Sequence, residues 1–374
     1  MRTSRFRLAA RRNLDVHKKY MKDYVKELKE LILTTIKEGA SDLHLTAGRH
    51  PTIRVSGSLI PLLKNPVLSA EDAEGLIFSM LNEKDGKIFK EKKEFDFSHS
   101  FEDKARFRVN AFTQRGYLGA ALRLISNKAK TIKELNLPDI LADFSQKEQG
   151  FFLVVGPIGH GKSTTLASMI ETINHTSAKH IMTIEDPMEY LFVQDKSIVD
   201  QREVRTDTAD FKTALRSMFR QDVNVAMIGE MRDVETISTA VTAAETGHLI
   251  LSSLHTNNAA QTVDRIIDSF PSDQQNQIRV QMASVLLGIF SQRLVPRISG
   301  GRIPAYELLI STPAVRTLIR EGRAYEIDTV IETNYEIGMV SLNRSLAELT
   351  RRGEITMKDA ISHSLNPKGL EALI

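Results

Sequence analysis

The sequence predicts an α/β fold: a parallel sheet covered on both faces, with an α+β domain ahead of it and a helical C-terminal region behind. Three observations carry this. FFLVV (151–155), HIMTI (180–184), VNVAMI (223–228) and HLILSSL (248–254) are near-continuous apolar runs, the pattern of strands buried on both faces. The first run leads straight into GPIGHGKSTT (156–165) and then into a helical stretch, which is the strand–loop–helix context of a phosphate loop. Before residue 126, short alternating segments replace these runs.

Taken in chain order, residues 1–23 form a basic N-terminal extension. Within residues 1–22, Arg2, Arg5, Arg7, Arg11, Arg12, Lys18, Lys19 and Lys22 stand against Asp15 alone. The stretch lacks the apolar centre of a secretory signal; it reads as a solvated arm, with attraction to anionic lipid as the alternative. Residues 24–126 form the α+β domain. YVKELKELILTTIKE (24–38) carries apolar residues at helical spacing, and ASDLHL (40–45) and PTIRVSGSLIPL (51–62) read as strands turning at Gly57. Ser69 can cap a helix through Leu81. FDFSHSF (95–101) and ARFRVNAFTQRGYLGAALRLI (105–125) return to strand character, with Phe107, Val109 and Ala111 on one face and Arg106, Arg108 and Asn110 on the other. Residues 127–149 are polar and short-helical and read as a linker with packing contacts of its own. The core and its helical C-terminal region occupy 150–374.

Composition narrows the function. With 374 residues, 41% hydrophobic and 26% charged, the chain is long enough for two or three domains and a sizeable core. The absence of cysteine excludes disulfides and thiolate zinc sites. No apolar run reaches the ~18–20 residues that cross a bilayer. A net charge of +3, no Trp and 6% aromatic residues argue against a basic, aromatic-lined nucleic-acid channel.

The loop has a defined chemistry. Gly156, Gly159 and Gly161 let the backbone turn its N–H groups inward as an anion nest, and the helix from Ser163 to Asn174 adds its positive end. Lys162 reaches the β- and γ-phosphates, Ser163 binds Mg²⁺, and Thr164 joins them at the phosphates. His160, an unusual occupant, is expected to face solvent.

A phosphate loop alone implies binding; hydrolysis also needs a carboxylate on the metal side and a group that aligns or deprotonates water. Ligands of α/β sheets sit at the carboxyl ends of strands, and three strand ends supply candidates. TIEDPMEY (183–190) places Glu185, Asp186 and Glu189 past a buried strand. VAMIGE (225–230) runs toward Glu230 in the manner of a Walker B strand, with Glu where Asp is usual; it could contact Mg²⁺ through water or polarise the attacking water. TGHLILSSLHTN (246–257) brackets a strand with two histidines. His255 stands at its carboxyl end, where a γ-phosphate sensor belongs; His248 stands at the other, suited to structural or subunit contacts.

These segments, in this order behind the loop, resemble the ATPase superfamily of type II secretion and type IV pili. IEDPMEY resembles its Asp box, MIGEMRD its atypical Walker B, and His248 to His255 its His box. SDLHL and RFRVNAF resemble its PAS-like N-terminal domain, and the resemblance spans residues 24–365. Within the superfamily two features point to the pilus-retraction branch: extension and secretion motors usually carry a four-cysteine zinc insertion, and AVRTLIRE (314–321) resembles the retraction branch's AIRNLIRE helix, departing from it at Val315 and Thr317.

The resemblance implies a RecA-like core and a ring homohexamer. ATP would lie between that core and the N-terminal domain, whose Arg108, Arg115 and Arg123 would close on the phosphates. It places His248 with the nucleotide-binding set. It favours Glu189 as the base over Glu185, with Glu230 on metal and water. It further implies a cytoplasmic protein, peripheral at the inner membrane, that engages a pilus platform protein and retracts the pilus. Pilus extension or protein export, and a RecA-type nucleic-acid translocase, are the alternatives.

Overall fold

A computed structural model describes residues 23–55, 57–102, 105–125 and 129–374; the basic run at 1–22 lies outside the described residues. The chain divides into two compact units, Met1–Ser126 and Asn127–Ile374.

In the first unit, helix α1 (Tyr24–Lys37) is capped by Asp23 and buries Leu28, Leu31 and Ile32, the apolar stripe its spacing predicted. Six strands follow: β1 (Asp42–Thr46), β2 (Thr52–Val55), β3 (Ser58–Pro61), β4 (Glu94–Phe101), β5 (Ala105–Gln114) and β6 (Tyr117–Ile125). They order as β3-β2-β1-β6-β5-β4, with Phe107, Val109 and Ala111 buried on one face as alternation required. Ser69 caps helix α2 through a reciprocal box with Asp72, but α2 (Ala70–Phe78) stops short of Leu81. A further helix, α3 (Glu83–Lys92), begins at the Asn82 cap. Its sequence EKDGKIFKEK is too polar to show a helical stripe, and only Gly86 and Phe89 are buried.

The second unit is built on a seven-stranded sheet: β7 (Gly150–Val155), β8 (His180–Glu185), β9 (Ile198–Glu203), β10 (Val225–Ile228), β11 (Leu249–Leu254), β12 (Leu286–Pro296) and β13 (Arg302–Ile310) in the order β13-β12-β7-β11-β10-β8-β9. β12 runs parallel to β7, and β13 pairs antiparallel with β12. Every residue of β7, β10 and β11 is buried. The polar IVDQRE of β9 and the mixed SQR of β12 hid these strands from periodicity. In β12, Ser291 and Gln292 are nevertheless buried, because their polar atoms are satisfied by neighbouring segments.

The stretch read as a linker belongs to this second unit. Ile132, Leu137, Leu141 and Phe144 are buried in one cluster with Phe152, Leu166 and Ile170; helix α4 (Ile140–Ser145) sits within it. Helix α5 (Lys162–Thr176) leaves the phosphate loop, α6 (Phe211–Met218) and α7 (Val234–Glu245) precede β10 and β11, and α8 (Ala259–Asp268) and α9 (Gln275–Val285) come after β11. After Thr312 the chain is helical: α10 (Pro313–Glu321), α11 (Ile327–Thr333), α12 (Leu342–Arg351), α13 (Met357–His363) and α14 (Pro367–Glu371). Among the described residues no helix is long and apolar enough to cross a membrane.

Candidate nucleotide site

The loop between β7 and α5 has the left-handed backbone its glycines allow: φ is +144° at Gly156, +77° at Gly159 and +84° at Gly161. At Gly156 glycine is also required by space, since a Cβ would lie 2.3 Å from the carbonyl oxygen of Gln292. The loop therefore rests directly against the backbone of β12.

Lys162 is buried. Its Nζ donates to the carbonyls of Gly156 (2.9 Å) and Pro157 (3.0 Å), and it lies 3.0 Å from His255 Nδ1. An ammonium can only donate, so Nδ1 accepts, and the imidazole proton resides on Nε2. Nε2 faces Glu230 Oε1 at 3.3 Å, and the other oxygen of Glu230 accepts from Arg232 at 2.7 Å. The result is one connected row, Lys162–His255–Glu230–Arg232, across the carboxyl tips of β10 and β11. Burial pushes the Lys162 ammonium down to about 8, while Glu230 and Glu189 act to raise it. Partial burial and then Lys162 hold His255 below the usual imidazole range, against the opposing pull of Glu230. Hydrogen bonding from Arg232 holds Glu230 below the usual carboxylate range despite its burial.

The Asp box divides its acids. Glu185 is wholly buried: Oε1 accepts from the Thr183 hydroxyl at 2.8 Å and Oε2 from the Glu189 N–H at 3.2 Å. Burial raises it to about 7. Glu189 is exposed, and Asp186 pairs with Arg205 at 3.0 Å. Thr164 Oγ1 lies 2.9 Å from the hydroxyl of Tyr190, which ties the start of α5 to the same box. Ser163, at the first turn of α5, is half-buried.

Two expectations are corrected. His160 does not simply face solvent: its Nδ1 accepts the N–H of Leu294 at 2.9 Å, and its carbonyl accepts from Gln292 Nε2 at 2.7 Å. Burial, then Arg293, lowers its pKa from the ordinary imidazole value, the direction that suits a nitrogen accepting from a backbone N–H. His248 is not brought to the phosphate loop. It stands at the far end of β11 from His255, roughly 20 Å away at strand rise, with Nδ1 donating to the Ala243 carbonyl at 3.0 Å and its ring edge-on to Phe219. Arg108, Arg115 and Arg123 are exposed in the first unit. Arg108 lies opposite Arg123 in register, and Arg123 Nε donates to Asp42 at 3.0 Å.

Sequence reasoning missed three residues. Gln292 is buried and joins the Thr165 hydroxyl (2.6 Å) to the His160 carbonyl. Tyr190 and Arg232 were seen only as neighbours of acids. The one available signal was their position two residues or fewer from a named carboxylate; Gln292, on an unassigned strand, had none.

The family model described as Type II/IV secretion system protein matches residues 18–328. The chain belongs to this family. Within the secretion-system family it is 43% identical over 334 residues to the type IV pilus retractation ATPase PilT of Pseudomonas aeruginosa, spanning 89% of this chain and 97% of that protein. It is 41% identical over 321 residues to a twitching motility protein of Neisseria gonorrhoeae, spanning 86% of each. The solved structure of a pilus retraction motor PilT with bound ADP superposes with a TM-score of 0.85 at 46% identity, covering 92% of this chain and 98% of that one.

Proposed function

We propose that the protein is a Mg²⁺-dependent ATP hydrolase, a homohexameric motor that drives type IV pilus retraction and so twitching motility. In this reading a RecA-like core works with a PAS-like N-terminal domain, on the cytoplasmic side of the inner membrane, against a pilus platform protein. The observation that carries it is the Lys162–His255–Glu230 row. It joins the phosphate loop to a strand-tip carboxylate through a sensor-type histidine, which a purely structural loop has no need of.

The residues fit the substrate and its metal. Gly156, Gly159 and Gly161 hold the positive-φ backbone that an anion nest needs, and Lys162 now donates to loop carbonyls that phosphate oxygens would replace. Mg²⁺ binds through one or two protein oxygens plus phosphates rather than an all-protein cage. The Ser163 hydroxyl and the Glu230 carboxylate suit that, and among the described residues no group of three or more His, Cys, Asp or Glu could hold a metal alone. Bound there, Mg²⁺ would neutralise the charge developing on the phosphates.

The side chains divide the remaining work. Lys162 holds the β- and γ-phosphates. His255, neutral with its proton on Nε2, orients Glu230 and reports the γ-phosphate through the Lys162 contact at Nδ1. Glu230 polarises the attacking water. Glu189, exposed and near Lys162, is assigned as base, because both oxygens of Glu185 are engaged in shaping the turn. Arg108, Arg115 and Arg123 supply transition-state charge when the N-terminal domain closes.

The test is a count of surface pili and a motility assay on cells lacking the protein, with purified ATPase activity alongside. Abundant pili without motility support retraction. Bald cells would make it an extension motor, and ATPase activity stimulated by DNA would make it a translocase.

A further inference from the structure

Two loops of the site rest on one short piece of β12, residues 291–294, from opposite faces. Side chains alternate along a strand, and here the alternation divides the two loops. Gln292 and Leu294 face the phosphate loop: a Cβ at Gly161 would lie 2.9 Å from Gln292 Nε2 and 3.4 Å from Leu294 Cδ1. Ser291 and Arg293 face the turn after β11 that carries His255. The Ser291 hydroxyl donates to the Asn257 carbonyl at 2.9 Å, and Arg293 Nη2 reaches Asn257 Oδ1 at 3.4 Å. On β13, Glu307 stands opposite Ser291 in register and shares its face. It is buried, and its Oε1 accepts the N–H of Ala259, the first residue of α8, at 2.8 Å.

We infer that Glu307 is a positioning residue for the reaction: through the Ala259 N–H it fixes the turn from His255 to Asn258, and so sets where His255 meets Lys162. The inference rests on the ATPase reading above. The turn has little slack, because it spans only His255, Thr256, Asn257 and Asn258 before α8 begins. Asn258 caps that helix through the Gln261 N–H at 2.9 Å, so holding the first turn of α8 holds the turn ahead of it. A carboxylate beside Leu308 and Leu309 is unfavourable to bury, and an apolar residue would suit the sheet better. Burial pushes its carboxyl up to about 7, against the Ala259 N–H and Arg293, while Asp328 and Glu332 on α11 add to the rise. What the acid supplies is an acceptor at the positive N-terminal end of α8. It is also the firmest brace on the helix side of the turn, since the Arg293 contact is long and Arg293 Nε has no hydrogen-bond partner among the described residues.

The test is a double-mutant cycle on the full chain. ATP turnover and AMP-PNP affinity are measured for the parent, Glu307→Ala, Glu307→Gln, His255→Ala and the Glu307→Ala, His255→Ala pair. Glu307→Ala should lower kcat about tenfold, as displacing a group at a reacting centre does. KM for ATP and AMP-PNP affinity should hardly change, because Gln292 and Leu294 still brace the phosphate loop. Glu307→Gln, whose amide oxygen still accepts the Ala259 N–H, should recover most of the rate. Once His255 is gone, Glu307→Ala should lower the rate no further. An unchanged kcat, a rise in KM alone, or no recovery in Glu307→Gln overturns the role. So does an equal loss with and without His255, which would leave Glu307 a structural acid only. Should Glu307→Ala not fold, Ser291→Ala takes its place: it removes one hydrogen bond to the same turn and should lower kcat about threefold, again only while His255 is present. A Ser291→Ala loss that is absent, or indifferent to His255, overturns the role as well. A parent that turns over no ATP sinks the ATPase reading itself, and the positioning role with it.

Discussion

The phosphate loop has two neighbours of opposite character. On one side the tips of β10 and β11 present Glu230, Arg232 and His255 in a charged row that ends on Lys162. On the other, β12 holds the loop with neutral hydrogen bonds: Gln292 to Thr165 and to the His160 carbonyl, and the Leu294 N–H to the His160 ring. The charged side can respond to a phosphate, because each of its contacts is exchangeable for a phosphate oxygen or a water. The neutral side holds no such exchangeable charge, and its close approach at Gly156 leaves no room for a Cβ. Chemistry and geometry are thus assigned to different strands of one sheet.

The largest effects should separate the two sides. Lys162→Ala and Glu230→Gln should each cut ATP turnover by at least about 10²-fold, the scale for removing a preorganised charge at a transition state, with melting temperature little changed. A Glu230→Gln protein as fast as the parent would break the assignment of chemistry to the β10–β11 side. Gly156→Ala should do the reverse. Its Cβ meets the Gln292 carbonyl at 2.3 Å and its φ of +144° is strained for alanine, so a stability loss of about 2–4 kcal/mol is expected by thermal or denaturant unfolding. An unchanged midpoint would show that β12 does not confine the loop.

Glu185 sharpens the comparison through pH. Folded, its carboxyl sits at about 7 against an ordinary 4.5, so between these values the native state holds a proton that the unfolded chain has released. The native state's stability therefore declines as pH rises through that window, and the full penalty is in place above pH about 7. Glu185→Gln, always neutral, should match the parent near pH 4.5 and exceed it above 7, by at most about 3 kcal/mol. A gap that does not grow with pH would mean the acid is charged in the fold.

Smaller changes probe the neutral side. Gln292→Ala leaves the Thr165 hydroxyl and the His160 carbonyl without their partner, at about 1–3 kcal/mol. The KM for ATP should rise with kcat largely retained, and a drop in kcat alone would place Gln292 in the chemistry instead. The mildest effect is a pH limb. Because Lys162 releases its proton at about 8 and the ammonium is the form that binds phosphate, kcat/KM should fall above that pH. The limb in kcat should lie higher, since bound phosphate favours the charged lysine. A flat profile to pH 9 would show that Lys162 is less desolvated than its burial implies.

Much of this was legible from local chemistry. The glycine spacing at 156–161 dictated a positive-φ loop, continuous apolar runs dictated a doubly covered sheet, and carboxylates just past those runs dictated acids at strand tips. Glu185 and Glu189 could not be told apart in this way, because their difference is burial, which depends on Thr183 and the turn after the strand. β9 and β12 escaped because buried strands that carry satisfied polar groups lose their apolar signature.

By itself, then, the sequence determined the strand–loop–helix core, the amphipathic α1 and the alternation of β5. Each depends on interactions within a few positions of chain. Only the tertiary structure decided that His160 is pinned to β12, that His248 lies a strand's length from His255, that residues 129–149 pack into the core, and that His255 bridges Lys162 and Glu230. The Lys162–His255 and His160–Leu294 contacts join residues 93 and 134 positions apart in sequence, and such pairings are set by sheet order rather than by any local pattern.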